Sequence, residues 1–153
     1  QEFKFTSRYN NIEAGEILER IKEITPSIGY GLKFIRLKDI DDLNKISLVE
    51  KHIISPEFIK DDENKAILIN EEENICIMIN EEDHLRMQFF TSGFDIESVY
   101  NLAKEVDEKI NSLINYAYDD KFGYLTSCPT NVGTGMSIYN GSFTWIIFNK
   151  KYW

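Results

Sequence analysis

The residues best suited to chemistry lie in two short segments. In the first, Asn80-Glu81-Glu82-Asp83-His84-Leu85-Arg86, polar and charged residues interrupt the hydrophobic pattern between two apolar runs. If the backbone stays extended there, Asn80, Glu82, His84 and Arg86 point one way, and Glu81, Asp83 and Leu85 the other. One face would then carry a carboxylate, an imidazole and a guanidinium. A carboxylate can grip a planar guanidinium through two charge-assisted hydrogen bonds, and arginine can grip a phosphate with the same fork. Such a face suits a guanidine-bearing substrate beside a phosphoryl group. It equally suits a charged strand end with a local Glu–Arg pair.

The second segment is Thr126-Ser127-Cys128-Pro129-Thr130-Asn131-Val132-Gly133-Thr134-Gly135. A cysteine at a strand exit opens a loop of small, hydrogen-bonding residues. Pro129 fixes one backbone angle, and Gly133 and Gly135 allow the backbone to approach a ligand closely. Facing a cation or backbone donors, Cys128 would become a local negative charge or a nucleophile. Taken alone, it fits an inert thiol in a tight turn better. Gly133-Thr134-Gly135 lacks the lysine of a nucleoside-triphosphatase loop and the longer glycine spacing of a kinase lid.

The surrounding pattern indicates what positions these segments. Ile17, Leu18, Ile21 and Ile24 recur at helical spacing, predicting a helix over Asn11–Ile24 that Thr25-Pro26-Ser27 stops. Leu32–Leu37 reads as a strand. Asp39–Ile54 reads as a helix burying Leu43, Ile46, Leu48 and Val49 and ended by Ser55-Pro56. Lys65–Asn70 and Asn74–Asn80 form a hairpin pattern around Glu71-Glu72-Glu73, whose carboxylates suit a solvated turn better than a metal site. His84–Phe90 is a third strand. Asp95 caps a helix to about Ile114 with Val99, Ala103, Val106, Ile110 and Leu113 as its buried stripe. Phe122–Ser127 and Ser142–Phe148 complete the extended segments. The chain thus predicts an α+β fold, an antiparallel or mixed sheet with helices packed on one side.

The chain has 153 residues, which favours one domain. Its formal net charge of -9 opposes a broad nucleic-acid or anionic-membrane surface. Cys76 and Cys128 match no metal motif, so no metal ligand is assigned. No signal peptide or membrane-spanning run is recognised, and a reducing, cytoplasmic setting is expected. Asn149-Lys150-Lys151-Tyr152-Trp153 follows the last strand with two aromatics and no helix to cover them. That end suits an incomplete domain or packing on a partner, including a second copy in a homo-oligomer.

Together the two segments resemble the guanidino-kinase superfamily, the ATP:guanido phosphotransferases. The flanks Leu48-Val49-Glu50-Lys51-His52-Ile53-Ile54-Ser55-Pro56, Glu105-Val106-Asp107 and Tyr116-Ala117-Tyr118-Asp119-Asp120-Lys121-Phe122-Gly123-Tyr124-Leu125 are similar to its bacterial protein-arginine kinase branch. The resemblance covers about Leu32–Met136. It implies phosphoryl transfer from Mg-ATP to an arginine guanidinium in a peptide or protein. It places Glu82 on the acceptor guanidine, Arg86 on nucleotide phosphates, Cys128 beside the guanidine and His84 in support of nucleotide binding.

Ser137 stands where the family pattern has an arginine, and Ser137–Ser142 no longer resembles the family. Residues 1–153 are therefore expected to form a single partial catalytic domain with a divergent tail over 137–153. The arginines are Arg8, Arg20, Arg36 and Arg86, and only Arg86 falls on a family position. One arginine leaves most of a triphosphate's charge uncompensated. The expectation is a domain inactive alone. The alternative is a non-catalytic partner- or arginine-peptide-binding domain on the same scaffold.

Overall fold

Asn10 and Glu13 open the first helix by a reciprocal capping box. The Asn10 side chain accepts from the amides of Ile12 and Glu13, and the Asn10 amide donates to Glu13 Oε2. The structure, a computed structural model, describes residues 3–93, 95–140 and 143–151. In chain order the elements are α1 (Asn11–Ile28), β1 (Lys33–Arg36), α2 (Asp42–Glu50), β2 (Ala66–Ile69), β3 (Ile75–Ile79), β4 (Leu85–Ser92) and α3 (Ile96–Leu113). The two-residue strands β5 (Tyr118–Asp119) and β6 (Gly123–Tyr124), then β7 (Met136–Asn140) and β8 (Phe143–Lys150), follow. β5 and β6 pair with each other. The other six strands form one antiparallel sheet in the order β1-β2-β3-β4-β8-β7. The fold is α+β, as the pattern predicts.

The long helices α1 and α3 pack on one face. Ile17, Leu18 and Ile21 of α1 and Val99, Ala103, Val106 and Ile110 of α3 join Leu68, Ile77, Met87 and Phe89 of the sheet in one core. A smaller cluster covers the opposite face, where Leu37, Ile53, Ile54 and Phe58 meet Ile67, Cys76 and Met78. The strands β2 and β3 are buried on both faces, which explains their unbroken apolar runs.

Two expectations need correction. α1 continues past Thr25 through Pro26 to Ile28. Pro26 removes one amide donor and crowds the carbonyl four residues earlier, but the buried Ile24 and Ile28 hold the last turn on the core. α2 is shorter than Asp39–Ile54 and turned: Leu43 is 81% exposed and Ile46 also faces solvent. The ammonium of Lys45 is drawn in instead, 2.9 Å from Asp62 Oδ2, while Leu48 and Val49 pack against the smaller cluster as expected. The strand expected near the end of the chain forms as β8, inside the sheet between β4 and a further strand, β7. Leu85 lies opposite Lys150, Met87 opposite Phe148 and Phe90 opposite Trp145. Asn149, Lys150 and Lys151 are buried along with Ile146, Ile147 and Phe148. Gly141, Ser142, Tyr152 and Trp153, which enter the expectations for the tail, lie outside the described residues. No helix among the described residues is long and apolar enough to cross a membrane.

Candidate active site

The connection between β3 and β4 sets the site. Asn80 has a φ of 61°, the left-handed region that asparagine tolerates better than most residues. Its amide donates to the His84 carbonyl at 3.0 Å, and its side-chain amide donates to the carbonyls of Ala14 and Asn64. Residues 80–84 therefore form a closed bend, and β4 begins only at Leu85. The strict alternation expected of an extended segment is lost.

In this bend Glu81 turns inward, its side chain only 8% exposed. Its carboxylate accepts from Ser55 Oγ at 2.7 Å and from the Glu82 amide at 2.6 Å, and lies 3.4 Å from Arg86 Nη1. The Glu82 side chain is left exposed. Asp83, 1% exposed, accepts from the Ser127 amide over 2.6 Å. Burial pushes the Asp83 pKa up; the Ser127 hydrogen bonds oppose this, and the charges of Glu82 and Glu81 add to it.

His84 lies elsewhere. Its ring is fully buried beneath the N-terminal segment, stacked on Tyr9 with Phe3 at its edge, and Nε2 donates to the Lys4 carbonyl at 2.8 Å. The bend thus separates His84 from the surface that Glu82 and Arg86 share.

That surface is a cleft of about 400 Å³ lined by Ser55, Lys65, Glu81, Glu82 and Arg86 among others. An adjoining hollow of about 530 Å³ shares Lys65, Glu81 and Glu82 and extends to Thr6 and Ser127. Glu82 stands where the two meet. Thr6 ties them further, donating to the Glu82 carbonyl and lying 3.4 Å from Ser127 Oγ. Arg86 Nε is buried in this region with no hydrogen-bond partner, a donor left over for an anion.

Cys128 follows Ser127 and starts one 3-10 turn, Pro129–Asn131. It is partly exposed, with Sγ 2.9 Å from Thr130 Oγ1. Cys76 is inert by contrast, since burial pushes its thiol pKa up. The glycines of the second segment serve the protein's own packing. A Cβ on Gly135, whose φ is 65°, would sit 2.6 Å from the Asn149 carbonyl oxygen, and the Gly133 backbone pairs with Tyr124. They make room for a strand and a hairpin, whereas the sequence pattern suggested a ligand.

The structure therefore brings together Glu82 and Arg86 in one cleft and sets Ser127 in the adjoining hollow, while Cys128, the next residue, lines neither. It adds Glu81, Asp83, Ser127 and Lys65, which spacing did not single out. Asp83 and Ser127 are 44 residues apart, so no local pattern announces their bond. Among the described residues no group of three or more His, Cys, Asp or Glu could hold a metal ion.

Comparison with known proteins gives the family and the fold. The family described as ATP:guanido phosphotransferase, C-terminal catalytic domain, matches residues 16–138. The protein-arginine kinase of Geobacillus sp. (strain WCH70) is 42% identical over 140 residues, 88% of this chain and 38% of that protein. That of Clostridium tetani (strain Massachusetts / E88) is 37% identical over 134 residues, 88% of this chain and 39% of that protein. The chain spans about two fifths of the length of these curated relatives. In fold it resembles the substrate-free duplicated taurocyamine kinase from Schistosoma mansoni, with TM-score 0.78 and 19% identity over 97% of this chain and 28% of that one. Lombricine kinase is similar, with TM-score 0.71 and 16% identity over 96% of this chain and 55% of that one. With both polar segments inside the matched range and the sheet shared, the chain belongs to the ATP:guanido phosphotransferase family.

Proposed function

We propose that this chain carries the guanidine-positioning part of an ATP:guanido phosphotransferase site acting on arginine side chains of proteins. The observation that supports this most is the place of Glu82, which shares one cleft with Arg86 and the adjoining hollow with Ser127. In the proposed reaction a guanidinium nitrogen attacks the γ-phosphorus of ATP. An N–P bond forms, the bond to the β-phosphate oxygen breaks, and ADP leaves with the electron pair. Glu82 holds the planar guanidinium and takes the proton that the attacking nitrogen loses. Arg86 offers its unpartnered Nε and its fork to phosphate oxygens, with Lys65 as a nearby cation. Magnesium enters with the nucleotide and offsets charge on the moving phosphoryl group. The resemblance assigns Cys128 to a place beside the guanidine, and the bond between Asp83 and Ser127, which ties its loop to the Glu82 bend, supports that assignment.

Arg86 and Lys65 alone leave much of a triphosphate's charge uncompensated, so the chain by itself is expected to bind Mg-ATP weakly and to show negligible turnover. Titration calorimetry with Mg-ATP, followed by a phosphoarginine assay on an arginine-rich protein, tests this. Efficient turnover that disappears in Glu82→Gln and Cys128→Ala variants would overturn the expectation of inactivity and keep the chemistry. Turnover of free arginine or creatine instead would overturn the protein substrate.

A second reading has its own support. The cleft is lined by the carboxylates Glu57, Glu81 and Glu82 against the cations Lys65 and Arg86. An acidic excess suits capture of an arginine-containing peptide without a nucleotide. Peptide binding that is indifferent to Mg-ATP would favour it.

A further inference from the structure

Lys150 carries the one lysine side chain buried this deeply among the described salt bridges, at 1% exposed. A buried ammonium is tolerated only where its donors are engaged. Here the partners come from three separate segments. Nζ lies 3.6 Å from Asp107 Oδ2 on α3, sits 3.5 Å from the centroid of the Tyr124 ring on β6, and donates to the Thr134 carbonyl at 3.3 Å. Thr134 belongs to the loop that Cys128 opens. The loop is fastened on either side of it: Gly133 and Tyr124 exchange backbone hydrogen bonds, and the Asn149 amide donates to the Gly135 carbonyl at 2.7 Å.

We infer that Lys150 is a positioning residue, whose buried ammonium gathers α3, the β5–β6 hairpin and the Thr134 carbonyl and thereby fixes the Cys128–Gly135 loop. Asp107 does not hold the ammonium alone, since Tyr124 and the Thr134 carbonyl also meet it. Lys150 lies on β8, beyond residue 138, where the family match ends. Its bearing on phosphoryl transfer rests on the proposed function. Its control of the loop does not, and the test reads the loop alone.

The two thiols provide the readout. Cys128 is partly exposed at the start of the loop, whereas Cys76 is fully buried in the sheet and reports global opening. Alkylation of the whole chain with iodoacetamide, followed site by site by mass spectrometry, measures both. In Lys150→Met the Cys128 rate rises several-fold while Cys76 stays protected. Tyr124→Leu, which removes the ring under the ammonium together with its edge contacts to Tyr116 and Tyr118, gives the same selective change at smaller size. If Lys150→Met opens both thiols together, Tyr124→Leu decides. An unchanged Cys128 rate, or a parallel rise at both thiols in both variants, overturns the inference.

Discussion

The Ser127 amide donates to Asp83 Oδ1 over 2.6 Å, and this bond fastens the bend that carries Glu82 to the loop that Cys128 opens. One carboxylate therefore joins the two segments that the proposed function assigns to one guanidine substrate. It does so while buried, at a cost in ionisation.

That cost has a measurable sign. The Asp83 pKa is raised in the folded protein, chiefly by burial. The fold thus prefers the protonated acid. This preference is fully present below the unfolded value of about 3.9 and is lost as pH rises through the folded value. Asparagine keeps an acceptor for Ser127 and cannot ionise. Urea unfolding of Asp83→Asn against the parent should show the variant gaining relative stability as pH rises from about 4 towards 7. A difference independent of pH would contradict this account of Asp83.

Glu81 competes with any anion for Arg86. Its Oε2 lies 3.4 Å from Arg86 Nη1 within the cleft. Glu81→Gln removes that negative charge and leaves a neutral hydrogen-bonding side chain. Calorimetry with Mg-ATP should give an affinity higher by a factor of about 5, equivalent to about 1 kcal/mol for one partly screened pair. Unchanged or weaker binding would show that Glu81 serves Arg86 as a support and not as a competitor.

Gly135 is confined by backbone on its far side. A Cβ there would meet the Asn149 carbonyl oxygen at 2.6 Å, at a φ of 65°. Gly135→Ala is therefore expected to lower stability by about 2 kcal/mol, read by urea unfolding. A loss under about 0.5 kcal/mol would mean that the loop shifts freely against β8.

Much of this architecture can be read before any coordinates. The stripes of α1 and α3 and the two-sided apolar runs of β2 and β3 are local, periodic signals, and Asp95 caps α3 where a short polar side chain should. The failures share a cause, since each depends on a distant partner. Lys45 is buried because Asp62 receives it, and that rotates α2 away from its apparent apolar face. Lys150 is buried because Asp107, Tyr124 and Thr134 converge on it, although the end of the chain looks polar. At the site itself residue types were legible and orientation was not. A single left-handed residue, Asn80, turns Glu81 towards Arg86, exposes Glu82 and buries His84.

The central claim is that Glu82 receives a guanidinium. Titration of an arginine-rich peptide onto the chain, with a lysine-rich peptide as control, measures it directly. Loss of a carboxylate that grips a guanidinium through charge-assisted hydrogen bonds should weaken arginine-peptide binding by a factor of about 10 in Glu82→Gln, with the lysine control unmoved. Equal affinity of parent and Glu82→Gln for the arginine-rich peptide would contradict the account.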